Sequence, residues 1–92
     1  MATKMTYEDF RGALISFNRQ LDFCNYQVKK YNHLLNTQSD PGNLPDIIAK
    51  YEKIRDEITD LITRHKQRGK RLQLATDAQI TAIDNITQTE KR

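Results

Sequence analysis

Two histidines, a single cysteine and five closely spaced cations are the side chains of this 92-residue chain with chemistry to offer. His33 and His65 stand far apart, in no pattern such as His-Glu-x-x-His or paired cysteines that would hold a metal ion. Cys24 recurs in step with apolar neighbours, where a thiol is a small buried hydrophobe rather than a nucleophile. Glycine-rich phosphate loops and Ser/His/Asp patterns are absent from the sequence. The expectation is a non-enzymatic protein without catalytic residues, metal or cofactor.

The five cations are Arg64, Lys66, Arg68, Lys70 and Arg71, with His65 among them and no acidic residue between positions 64 and 71. On a helix Arg64, Arg68 and Arg71 share one face, and Lys66 and Lys70 lie on the adjacent one. Such a stretch can follow a phosphate backbone or meet an acidic protein. It lacks interleaved aromatics for stacking on single strands, and no helix-turn-helix or finger surrounds it. The simpler expectation is a solvated face, partly neutralised by Glu8 and Asp9 near the start of the chain. Nucleic-acid binding stands as the alternative use of this cluster.

What must position these residues is a repeat. Phe10, Leu14, Phe17, Leu21, Cys24, Val28, Tyr31 and Leu35 alternate steps of four and three, the spacing of a coiled-coil seam. Asn18, Asn25 and Asn32 flank it every seven residues, with Gln20 and Gln27 on the other side. Paired amides are buried against further helices at lower cost than charges. Ile15, Phe23 and Tyr26 add a weaker apolar stripe outside the seam. Together with the three asparagines they are the candidate interface for a third helix, a second copy or a partner protein.

The first helix is expected over about residues 7–37. Thr6 can cap it, with Asp9 three residues on reaching back to the Thr6 amide and Met5 set to pack on Phe10. A turn over residues 38–44 follows from Pro41 and Gly42. Asn43 then offers a cap, and Pro45 is tolerated in a first helical turn. In the second helix, starting at about residue 45, Leu44, Ile47, Tyr51, Ile54, Ile58 and Leu61 repeat the seam. Pairing the two as an antiparallel hairpin sets Leu35 beside Ile47 and Phe10 near Leu72.

Past Leu61 the same count lands on His65 and Arg68, two polar layers, whereas a 3.6-residue period selects Ile62, Gly69, Leu72, Ile80 and Ile83. One reading runs a single helix to about residue 87. The other ends it near residue 68 and starts a third helix at Thr76, with Thr76 and Gln79 as a capping box. The first is favoured, because one Gly without Pro seldom stops a helix. On either reading the hairpin is best specified near its turn, and residues 88–92 should fray.

The bulk numbers suit a single helical domain over residues 1–92. Hydrophobic residues are 37% of the chain, Trp is absent and the net charge is +3. A chain of this size buries only about 65% of its unfolded surface, so completing a bundle by self-association or by docking on a partner is expected. No apolar run approaches the ~20 residues of a membrane helix, and the N-terminus lacks the layout of a secretory signal. A lone cysteine agrees with a reducing, cytoplasmic compartment. The Asn85-Ile86-Thr87 sequon is then taken as chance.

The Ser39-Asp40-Pro41 turn, followed by a helix carrying Leu44 and Tyr51, resembles the hairpin turn of needle subunits of type III secretion systems. Small secreted hairpins with a Trp-x-Gly turn share the length. This chain has Pro41-Gly42-Asn43 and no Trp, and the likeness spans at most half of it, so no family is assigned. The sequence thus points to an all-α, coiled-coil-like helical hairpin, with or without a short C-terminal helix. Its expected role is an interaction or assembly subunit, a secretion-system or phage assembly chaperone or filament subunit being a further alternative.

Overall fold

The computed structural model describes residues 4–90, with side chains to residue 88. It is all-α among these residues: α1 (Tyr7–Thr37) and α2 (Leu44–Arg71) form a long antiparallel hairpin, and α3 (Asp77–Glu90) folds back against α1. The last turn of α3 therefore covers part of the segment expected to fray, while residues 91–92 lie outside the described residues.

Local chemistry accounts for the helix ends. At α1 the Asp9 amide donates to Thr6 Oγ1 at 3.2 Å and the Thr6 amide donates to Asp9 Oδ2 at 3.1 Å, a reciprocal capping box. The turn uses Gly42 at φ 54, with its amide donating to Asp40 Oδ1 at 3.1 Å. Asn43 stands at the start of α2 as expected, but its side chain makes no capping bond. Pro45 in the first turn leaves fewer amides there to satisfy.

The continuous second helix favoured by the sequence is broken. α2 ends at Arg71 in a Schellman motif, where the Leu74 amide donates to the Gly69 carbonyl at 2.8 Å and the Gln73 amide to the Lys70 carbonyl at 3.1 Å. Gln73 takes φ 58, a left-handed position that glycine or asparagine usually fills. After the five linking residues 72–76, α3 begins behind the Thr76 and Gln79 capping box, with bonds of 2.9 and 3.2 Å. A break that buries Ala75, Ile80 and Ile83 outweighs the propensity for one straight helix.

α2 is also rotated relative to the expected seam. Its buried residues are Ile48, Ile58, Ile62 and Gly69, while Leu61 is 45% exposed and Arg68 is exposed. Ile48, Tyr51, Arg55, Ile58, Ile62, His65 and Gly69 still step by three and four, one column over from the expected one. The register follows: Phe10 meets His65 and Gly69, not Leu72, which is 47% exposed.

The core sits at the open end of the hairpin, opposite to the expectation that the turn end is the better specified. The largest fully buried side chains are Phe10, Leu14 and Ile83, one cluster shared by all three helices with Cys24, Ile58, Ile62, Ala75 and Ile80. Near the turn, Leu34, Leu35, Leu44 and Ile47 are only half-buried. α3, about 21 Å long at 1.5 Å per residue, covers only one half of one hairpin face. The molecule measures 54 × 32 × 18 Å, and its radius of gyration of 16.6 Å exceeds the ~12 Å of a compact chain this long.

Candidate interaction face

Two packing details fix which face of the hairpin stays open. His65 lies flat on Phe10, ring centroids 4.5 Å apart and 10° between planes, and its Nε2 is 2.9 Å from the Phe10 carbonyl oxygen. A carbonyl only accepts, so Nε2 carries the proton in this contact. Phe17 meets the same imidazole edge-on at 5.6 Å. One turn on, a Cβ at Gly69 would stand 2.6 Å from Phe10 Cδ2, so only glycine lets the ring seat there. Gly69, expected from the sequence to be too weak to stop the helix, is a packing notch.

The basic cluster is divided by α3. Lys66 Nζ donates to Asp84 Oδ2 at 2.8 Å, and Asn18 Nδ2 donates to the other oxygen at 2.9 Å, tying α1, α2 and α3 together. Lys70 pairs with Asp77 at 3.1 Å and Arg64 with Asp60 at 3.0 Å. Neutralisation therefore comes from Asp60, Asp77 and Asp84, not from Glu8 and Asp9; Asp9 is engaged at the α1 cap. Arg68 and Arg71 are exposed, and among the described residues neither forms an ion pair.

The six expected interface residues do not share one surface. Asn18 is taken up by Asp84, and Ile15, three residues before it on the same side of α1, is half-buried against the core cluster. Asn25 and Asn32 are exposed. Phe23 is 55% and Tyr26 63% exposed, but Phe23 leans toward α2, its ring edge-on to Tyr51 at 6.4 Å, while Tyr26 lies on the outer face with Lys30 and His33.

Opposite α3 the two long helices leave a groove. Its wider part, about 390 Å³, is lined by Gln20, Phe23, Cys24, Tyr51, Ile54 and Ile58 with Arg19 at the rim. Tyr51 is held there by stacking on Tyr31 at 6.0 Å and by Gln27 Nε2, 3.5 Å from its hydroxyl. Toward the open end a smaller hollow of about 190 Å³ lies among Phe17, Leu61, Arg64, His65 and Arg68. Phe23 and Leu61 are the apolar rims of one face. Sequence spacing hid it, because Leu61 was counted into the hairpin seam and Phe23 onto the outer stripe.

A third concavity, about 340 Å³ and as apolar as it is polar, lies on the α3 side, where Thr87 Oγ1 is buried without a hydrogen-bond partner. Among the described residues no group of three or more His, Cys, Asp or Glu could hold a metal ion, and no helix is long and apolar enough to cross a membrane. No family model, curated protein or solved structure matches the chain. The reading of function therefore rests on the open face.

Proposed function

We propose that this chain is a non-enzymatic interaction or assembly subunit whose hairpin presents its open face to a helix from outside the chain. The observation that carries this is the half-covered hairpin: α3 closes one face, while the other keeps Phe23 at 55% and Leu61 at 45% exposure beside an apolar groove. Isolated exposed hydrophobes need no explanation, but a contiguous apolar groove with aromatic rims does. A helix laid in it would complete a four-helix arrangement around the hairpin. The lone Cys24, buried at the groove floor, suits a reducing cytoplasmic setting.

Nucleic-acid binding by Arg64 to Arg71 is supported less well, since Arg64, Lys66 and Lys70 are engaged with carboxylates of the same chain. The test is site-specific photocrosslinking from positions 23 and 61 in a host extract, with position 81 on exposed α3 as the control. Crosslinks to protein, including a second copy, are expected from 23 and 61. Equal or weaker yields there than from 81 would overturn the reading.

A further inference from the structure

We infer that the occupant of the open face is an acidic amphipathic α-helix of a partner protein, laid along the groove between α1 and α2. This deepens the interaction reading above and depends on it.

Charge is the argument. Lys50, Lys53, Glu57, Arg64, Arg68 and Arg71 are exposed and follow one another by three, four or seven residues, so they line one edge of α2. Arg64 and Arg68 place that edge at the groove, because both line its open-end hollow with Phe17 and Leu61. Arg64 is paired with Asp60, while Asp77 and Asp84 are spent on Lys70 and Lys66 on the α3 side, so Arg68 and Arg71 are the arginines of this edge that form no ion pair among the described residues. The opposite edge of the groove, Ser16, Gln20, Phe23 and Gln27 on α1, carries no carboxylate. The result is an apolar trough with one mainly cationic bank and an opposite bank that carries Arg19 at its rim and no carboxylate.

That arrangement selects among occupants. A second copy could offer these cations its own α1 edge, which carries Arg19 and no carboxylate, or its α2 edge. On the latter the cations outnumber Glu57 and Asp60 is already paired with Arg64, so like charges would face one another. A phosphate backbone would satisfy the cations but leave Phe23, Ile54 and Leu61 uncovered. An amphipathic helix with apolar residues at spacings of three and four and Asp or Glu along one flank satisfies both. From Tyr51 to Arg68 the trough runs about 26 Å at 1.5 Å per residue, so the segment needs about five turns.

The test uses the full chain and a labelled helical peptide of about 18 residues, with leucines at positions i, i+3, i+4 and i+7 and glutamates on one flank. Fluorescence anisotropy compares it with the same peptide carrying lysines and with duplex DNA; sedimentation of the chain alone reports self-association. The acidic peptide should bind, with affinity falling about ten-fold or more in Arg68→Glu/Arg71→Glu and in Phe23→Ser, and unchanged in Lys29→Glu on the outer face. Equal binding of the lysine peptide, insensitivity to the arginine changes, preference for DNA or no binding of the acidic peptide would each overturn the inference. A dimer dissolved by Phe23→Ser would also overturn it while leaving the interaction reading in place. Failure of that broader reading is reported separately by the crosslinking.

Discussion

The imidazole of His65 is stacked on the ring of Phe10, 4.5 Å between centroids, while its Nε2 donates to the carbonyl of that same residue at 2.9 Å. One side chain of α2 thereby reads both the ring and the backbone of one residue of α1, which pins the rotation of the two helices at the open end. Aromatic pairs contribute about 0.5–1.5 kcal/mol beyond burial, and a net hydrogen bond about as much.

Replacing His65 by Ala should cost about 2 kcal/mol in urea unfolding, since both contacts are lost and the fully buried Phe10 loses its cover. His65→Leu keeps bulk over the ring and should cost under about 1 kcal/mol. Equal losses in the two variants would mean that the stack contributes nothing specific.

Gly69 and Gly12 should respond to alanine with opposite signs. In an ordinary helix interior Gly→Ala gains about 1 kcal/mol, and Gly12, with nothing within 4 Å of an added Cβ, should show that gain. At Gly69 the added methyl meets the Phe10 ring, 2.6 Å from Cδ2, so a loss of about 1–3 kcal/mol is expected. In a Phe10→Leu background the Gly69→Ala penalty should shrink; a double-mutant cycle with no coupling would refute the notch.

Gln73→Gly should stabilise the protein by about 0.5–1 kcal/mol, because a left-handed backbone costs a side-chain-bearing residue about 1–2 kcal/mol and part of the relief is offset by unfolded-state entropy. Its φ of 58 and the two capping bonds around it locate the effect in the α2 to α3 corner. A lower melting temperature for the glycine variant would contradict this.

Two substitutions on α3 should move its docking in opposite directions. Asp84→Ala leaves Lys66 and Asn18 without their shared acceptor and should weaken the fold by about 1–2 kcal/mol. Thr87→Val replaces a buried hydroxyl that has no partner with a methyl of the same shape, and should strengthen it by about 1 kcal/mol. Amide exchange along α3 checks both: faster in the first, slower in the second.

Much of the fold is legible in residues that act on their neighbours in sequence. The Thr6 and Asp9 box, the Asp40 to Gly42 turn, the α1 seam and the Thr76 and Gln79 box all involve partners within about one or two helical turns, so spacing reveals them. The candidate site is legible only in part. Arg64 and Arg68 were visible as cations and Phe23 as an exposed aromatic, but nothing in their spacing joins them to Tyr51, Ile54 and Leu61 across α2. The aspartates that occupy Lys66 and Lys70 come from a helix whose direction the corner at Gln73 decides.

By itself, then, the sequence determined that α1 is one long helix with one main apolar edge and that a second helix returns along it. It left the rotation of α2 undecided, because Ile47 and Ile48, and again Leu61 and Ile62, offer two adjacent apolar columns that differ by about 100°. Tertiary structure chose between them. Seating α3 on the side of Ile62 and Lys66 buries Ile80 and Ile83, stacks His65 on Phe10 and requires a glycine at position 69. The same rotation turns Leu61 and Arg68 outward, and the open face exists because three helices share a core that two could not fill.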